Sequence, residues 1–207
     1  MMKNLFIAFE GIDGSGKSTQ VKILSQKLEL EGHKVYTTFE PTDSPIGSMI
    51  RNVFNHKMEA DHKTIAGLFV ADRLNHLLNQ TNGIIKMLND GFTVITDRYY
   101  FSSYAYHGVH MPVDWVIQAN ALSADLLRPD LNIFIDISPE ESMKRISKGR
   151  ETVEMYETLD NLKKVKEIYF NCFEKLKEVE KVCIINGERE ETEIAQHIWQ
   201  NIYPLLR

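Results

Sequence analysis

The chain has 207 residues, of which 43% are hydrophobic and 26% charged, a size and composition that suit one globular domain with its own core and exclude disordered and fibrous classes. The formal charge of -5 argues against broad electrostatic attraction to nucleic acid, so an anionic ligand has to be met by local groups. No stretch approaches the roughly 18 apolar residues of a membrane span, and MMKNLFIAFEG at the start is too short in its apolar run to be a signal peptide, so the expected location is cytoplasmic with no membrane partner.

In chain order, the patterning alternates strand and helix. LFIAFE at 5–10 is a short apolar run, the mark of a buried parallel strand, and helical spacing follows from Lys17 to Leu30 with Val21, Leu24 and Leu28 on one face, ended by Gly32. KVYTTF at 34–39 predicts a second strand. From Ser44 to Leu88 the spacing is helical throughout, with Gly91 as the stop signal. FTVIT at 92–96 predicts a third strand, Pro112 opens a helix, and LNIFIDI at 131–137 predicts a fourth strand followed by a helix starting at SPEE. Residues 159–180 read as a charged amphipathic helix, VCIIN at 182–186 as a fifth strand, and the remainder as a closing helix. Five apolar strands separated by helices predict an α/β fold with a doubly wound five-stranded parallel sheet. With no repeat, linker or low-complexity tract, one domain over 1–207 is the economical reading. Cys172 and Cys183 fall in a helical and a strand-like run, as reduced core thiols do.

Ligands of such sheets bind at the carboxyl ends of the strands. The first strand runs into GIDGSGKST, Gly11 to Thr19, which satisfies G-x-x-x-x-G-K-[ST]. Glycines let backbone N–H groups converge on an anion, Lys17 can reach the β and γ phosphates of a nucleotide, and Ser18 can ligate magnesium. The third strand ends on Asp97, placed to organise that magnesium through water, and Arg98 follows, able to diverge toward a neighbouring anion. Behind them DRYYFSSYAYHG crowds four tyrosines and Phe101 beside the arginine. A basic run, Lys144, Arg145, Lys148 and Arg150, could swing over the triphosphate and place charge on the transferring group. N-K-x-D, the mark of a guanine-specific GTPase, is absent from the sequence.

Taken together, FEGIDGSGKSTQ (Phe9 to Gln20), Glu40-Pro41, Ile50-Arg51, LFVADR (Leu68 to Arg73), DRYYFSSYAY (Asp97 to Tyr106) and LRPDLNIFIDISPEESMKR (Leu127 to Arg145) make the chain resemble the thymidylate kinases. The resemblance covers nearly the whole length. It implies a P-loop nucleoside monophosphate kinase that moves the γ-phosphoryl group of ATP to dTMP with Mg2+, and it implies a homodimer. The implied ATP site is Gly11, Ile12, Asp13, Gly14, Ser15, Gly16, Lys17, Ser18 and Thr19, with Ser18 and Asp97 toward the metal. The implied dTMP site is Asp13, Glu40, Pro41, Arg51, Phe69, Arg73, Arg98, Ser102, Ser103, Tyr106 and Tyr156. Within it Asp13 meets the 3′-hydroxyl, Phe69 stacks on the base, Arg73 donates to thymine O4, Tyr106 lies under the deoxyribose, and Arg98 takes the acceptor phosphate with help from Arg51. Tyr99, Tyr100 and Tyr104 are left to packing. Implied catalytic groups are Lys17, Asp97, Arg98 and, in a lid at about 143–157, Arg145, Lys148 and Arg150. Gly14 stands where some members carry a P-loop arginine, which places catalytic charge in the lid and resembles the bacterial arrangement. Two positions depart from the family pattern: His107 replaces a usual Gln, and Met155 an arginine of the lid, while Tyr156 and Glu157 match.

Overall fold

In a computed structural model of the chain, residues 3–149, 156 and 158–206 are described. They contain five strands, β1 (Phe6–Glu10), β2 (Val35–Phe39), β3 (Thr93–Asp97), β4 (Leu131–Asp136) and β5 (Val182–Asn186), paired in parallel in the order β2-β3-β1-β4-β5. The expected five-stranded parallel α/β sheet is the fold observed. Each strand lies within two residues of its expected bounds; β1, β3 and β4 are the apolar runs that a sheet centre covered on both faces requires, while the edge strands β2 and β5 are only partly buried. β1 and the first four residues of β3 are buried.

The two faces bury different partners. On one, Leu5, Ile7, Phe9, Ile95, Ile133 and Ile135 pack with the apolar stripes of α1 (Lys17–Leu30) and α10 (Glu191–Ile202). On the other, Phe6, Ala8, Val94 and Phe134 meet α5 (Tyr100–Gly108) and α9 (Leu159–Leu176), which lie against each other. In α9 the buried residues Leu162, Val165, Tyr169, Cys172 and Phe173 recur at helical spacing, which is why this helix was visible in sequence. α8 (Pro139–Gly149) leaves β4, and a short 3-10 helix at Tyr203–Leu206 closes the chain. Both cysteines are free thiols, Cys172 buried and Cys183 half-buried, and burial pushes the Cys172 thiol up to about 11.

Three expectations need correction. The helical stretch expected from Ser44 to Leu88 is three helices, α2 (Pro45–Phe54), α3 (His62–Leu78) and α4 (Ile84–Asn89). Polar caps make the breaks: Ser44 accepts from the N–H of Gly47, Asp61 from that of Lys63, and Asn79 from that of Thr81. Second, the helix opened by Pro112 is two short ones, α6 (Val113–Ala119) and α7 (Ala121–Leu126), meeting at Asn120. Third, the aromatic stretch is itself a helix, α5, with every side chain from Tyr100 to His107 buried. A helix enclosed on all sides has no polar stripe, so periodicity could not reveal it.

Candidate active site

The loop after β1 rises over the carboxyl ends of β1 and β3 and feeds α1. Gly11, Gly14 and Gly16 have φ of 146°, 70° and 92°, the left-handed region open to glycine, and a Cβ on Gly11 would stand 2.7 Å from the Ile135 carbonyl oxygen. Lys17 Nζ donates to the carbonyls of Gly11 (3.1 Å) and Ile12 (3.0 Å), with Ser15 Oγ at 3.4 Å. Burial, reinforced by the cationic Arg98, brings its ammonium down to about 8. Ser18 Oγ donates to Asp97 Oδ2 at 2.5 Å, joining the start of α1 to the end of β3. A hydroxyl and a carboxylate in contact beside a phosphate loop are the hard oxygen donors that Mg2+ takes, since that ion keeps several waters and few protein ligands. Among the described residues no group of three or more His, Cys, Asp or Glu is placed to hold a metal by itself.

Beside the loop lies a cavity of about 320 Å3, a size suited to a small ligand. Its walls come from the end of β2 (Phe39, Pro41), α2 (Arg51, Phe54), α3 (Phe69), α5 (Ser102, Ser103, Tyr106, His107) and Tyr156, and Asp13 and Arg98 stand where it meets the phosphate loop. Arg98 has φ 76°, unusual for a residue with a Cβ, held by its N–H to the Phe9 carbonyl (2.8 Å) and by the Thr96 hydroxyl on its own carbonyl (2.9 Å). Its guanidinium pairs with Asp13 and donates to Ser102 Oγ at 3.0 Å, and it lies over the Tyr106 ring with its central carbon 5.0 Å from the centroid. Burial alone would lower its pKa; Tyr106 and Asp13 more than offset that and raise it well above the usual value. Tyr106 donates to Asp13 Oδ2 at 2.7 Å and accepts the Asp13 N–H at 3.1 Å. Arg51 donates to the carbonyls of Pro41 (2.9 Å) and Thr42 (2.6 Å), behind a cis Glu40–Pro41 peptide bond.

The aromatic wall is closed by Phe69, whose ring lies 6.1 Å from Phe54 and 5.1 Å from His107, and by Tyr156, which packs on Phe54 and Tyr106 and meets His62 Nδ1 at 3.2 Å. His107 is buried, and burial, then the charge of Arg73, takes its pKa down to about 3, so the ring is neutral; its Nδ1 has no partner among the described residues. Tyr99, Tyr100, Phe101 and Tyr104 face away into the core, where Tyr99 donates to the Leu127 carbonyl (3.0 Å) and Tyr100 to Glu180 (2.7 Å). α5 therefore turns one side to the core and the other to the cavity.

Several expected residues take other positions. Arg73 is 1% exposed and lies behind the cavity wall. All five of its N–H groups are committed: Nε and Nη2 to Glu40 Oε2 (2.9 and 2.6 Å), Nη2 also to the Tyr99 carbonyl (3.1 Å), Nη1 to Ser103 Oγ (3.0 Å) and to Asn120. In this arrangement the donors of Arg73 are engaged within the protein, and Glu40, also behind the wall, is its counter-ion. On α8, Arg145 is turned to Glu141 Oε1 (2.9 Å) and the Gly187 carbonyl (3.0 Å), with its Cβ stem beside Gly14, and Lys148 is exposed. Arg150, Met155 and Glu157 lie outside the described residues. Sequence reading missed Glu10, Asp72 and His62. Asp72 anchors the turn before α2 by accepting from Thr42 N–H (2.7 Å) and from the hydroxyls of Thr42 (2.6 Å) and Ser44 (2.8 Å). Its signal was a charged residue inside the apolar pattern of α3.

A parallel sheet with a G-x-x-x-x-G-K-[ST] loop after β1, and an arginine-lined cavity beside that loop, is the architecture of a P-loop nucleotide-binding protein. Comparison with known proteins narrows the class. The family model described as thymidylate kinase matches residues 9–198. A probable thymidylate kinase of Pyrococcus horikoshii is 37% identical, covering 86% of this chain and 87% of the relative, and one of Methanocaldococcus jannaschii is 37% identical over 84% of each. A thymidylate kinase of Caldicellulosiruptor saccharolyticus is 34% identical across 100% of this chain and 99% of the relative. The chain belongs to the thymidylate kinase family.

Proposed function

We propose that the protein transfers the γ-phosphoryl group of ATP to dTMP, forming dTDP and ADP on the way to dTTP. One observation supports the reading most strongly: Asp13 of the phosphate loop is held by Arg98 and Tyr106 of the cavity, so the two anion sites share a wall and the groups they bind are brought to reacting distance.

Phosphoryl transfer asks the protein for position and charge more than for covalent chemistry. The N–H groups of Gly11 to Thr19 and Lys17 hold the triphosphate; Arg98, with Arg51 at the same wall, takes the acceptor phosphate; Asp13 accepts from the 3′-hydroxyl of the sugar. Tyr106, stacked under Arg98, leaves no room beneath the deoxyribose for a 2′-hydroxyl, and Phe69 covers the base. Ser103 is the base-edge donor in this reading. Its oxygen accepts from Arg73, which leaves its proton free for thymine O4, so Arg73 acts by fixing Ser103. Cytosine presents an amino donor in place of O4, which Ser103 can accept only on its remaining lone pair and with its proton turned away, so this position favours thymine by about tenfold rather than excluding cytosine. Ser18 and Asp97 would hold Mg2+, which when bound neutralises charge on the β and γ phosphates. Arg145, Lys148 and Arg150 of a lid at about 143–157 supply the remaining charge in this reading, and the whole chain acts as one domain in the cytoplasm. Two copies are proposed to associate; the exposed Trp115, Leu122 and Leu126 on α6 and α7 offer apolar surface for it, and sedimentation velocity measures it.

The test is ADP release from Mg-ATP against dTMP, dUMP, dCMP and thymidine. Stimulation by dTMP well above the others is expected; a panel led by thymidine would make the protein a nucleoside kinase, and a flat panel would make it a nucleotide-binding switch.

A further inference from the structure

Glu10 ends β1 directly before the phosphate loop, and its side chain is fully buried. A carboxylate in an interior is costly unless its oxygens are satisfied. Here Oε1 accepts the N–H of Tyr99 at 2.9 Å, and Oε2 accepts the hydroxyls of Ser102 at 2.5 Å and Tyr169 at 3.0 Å. Burial raises its pKa above the usual carboxylate value, and the three donors that converge on it, with the charge of Arg98, offset part of that rise. Ser102 is engaged from both sides: its oxygen accepts from Arg98 Nη1 while its proton goes to Glu10. A continuous line of hydrogen bonds therefore runs from Arg98 through Ser102 to Glu10, braced by Tyr169, which stands 2.8 Å from Ser102. Glu10 also grips the chain at Tyr99, the residue after the left-handed Arg98, so it holds the arginine through side chain and backbone together.

We propose that Glu10 is a positioning residue that fixes Arg98 from behind, through Ser102, so that the guanidinium faces the acceptor phosphate. The proposal rests on the assignment of that phosphate to Arg98. Glu10→Gln keeps the volume but not the polarity. Its carboxamide oxygen would stay on the Tyr99 N–H, and its NH2 would donate toward Ser102, whose oxygen could then no longer serve Arg98 alone.

The experiment compares binding of dTMP and of thymidine, which lacks the phosphate, by calorimetry on wild type, Arg98→Ala, Glu10→Gln, Ser102→Ala and the Glu10→Gln/Arg98→Ala double variant. The ratio of the two affinities isolates the phosphate contact. Arg98→Ala should collapse the ratio. Glu10→Gln should lower it about tenfold with thymidine affinity held within about twofold, as expected for a hydrogen-bonded charge disturbed at one remove; Ser102→Ala should lower it too, but as a residue of the cavity wall it also changes thymidine affinity. In the double variant Glu10→Gln should add nothing, since its effect passes through Arg98. If Glu10→Gln weakens dTMP and thymidine alike, or leaves the ratio intact, while Arg98→Ala collapses it, Glu10 is general scaffolding and the Arg98 assignment stands. A ratio indifferent to Arg98→Ala overturns that assignment and the proposal with it. Should Glu10→Gln not fold, Tyr169→Phe decides between these outcomes, because it removes a donor from Glu10 and the brace on Ser102 without touching Arg98 or the cavity wall: a lowered ratio with thymidine affinity kept supports the proposal, and an unchanged ratio overturns it.

Discussion

In the proposed function, one uninterrupted stretch, Gly11 to Thr19, makes the donor half of the site, whereas the acceptor half draws its walls from β2, α2, α3, α5 and Tyr156. The donor half is a backbone device. Its three positive-φ glycines set the path, and the side chain that matters, Lys17, is anchored on carbonyls five and six residues away. The acceptor half is a side-chain device whose parts meet only because the sheet brings β1 and β3 side by side, with Phe9 opposite Asp97. Asp13 belongs to both, a residue of the phosphate loop held by Tyr106 and Arg98 of the cavity.

Substitution on each side tests this division. Arg98→Ala should lower kcat/KM for dTMP by about a thousandfold or more, as loss of a cation on a reacting phosphate does, with the Kd for ATP within about threefold by nucleotide titration. Lys17→Ala should do the reverse, cutting kcat/KM for ATP by about a hundredfold to a thousandfold while dTMP still binds. Equal damage to both substrates from either change would break the division into halves.

A smaller effect is expected at the base edge. Ser103→Ala should narrow the preference for dTMP over dCMP by about tenfold, as loss of a specifying hydrogen bond does. Arg73→Lys should narrow it too, because a lysine offers fewer donors in a different geometry than the five N–H groups that bind Glu40, Ser103, Asn120 and Tyr99. A preference untouched by Ser103→Ala would return the base to another donor.

Proton dependence separates the halves by a smaller factor. Lys17, with its pKa brought down to about 8, is cationic below that value and loses its charge above it. At saturating dTMP, kcat/KM for ATP should therefore fall about fivefold between pH 8 and pH 9, since this parameter reports the free enzyme's groups. With ATP saturating, kcat/KM for dTMP should not share that fall, because Arg98 stays charged throughout. The smallest effect is expected at His107. With a pKa of about 3 it does not titrate near neutrality, so wild type and His107→Gln should show parallel pH dependence of KM for dTMP between about pH 5.5 and 7.5. A step near 6.5 that the substitution removes would show a charged imidazole in the cavity.

Legibility in the sequence followed the same division. The phosphate loop was readable residue by residue, since consecutive positions carry its geometry. The central strands were readable because burial on both faces demands unbroken apolar runs. α5 was not, because its buried surface is continuous around the helix, nor were the breaks after Phe54 and Leu78, which rest on single capping side chains. Arg73 was singled out as part of the acceptor site, yet whether its donors were free depended on Glu40 and Asn120, thirty-three and forty-seven residues away. Glu10 carried the same signal as Asp72, a charged residue in an apolar run, but its partners at Tyr99, Ser102 and Tyr169 lie 89 to 159 residues away.

The sequence by itself determined the parallel sheet, the phosphate loop, the Asp97-Arg98 pair and the family resemblance, because each is written in neighbouring residues through backbone preference or hydrophobic period. Only the tertiary structure decided which face of α5 looks into the cavity, that Ser103 rather than Arg73 reaches it, and that a buried Glu10 stands behind Arg98. Those choices depend on which donors and acceptors the folded chain has already satisfied, and that is settled only when residues far apart in sequence are brought into contact.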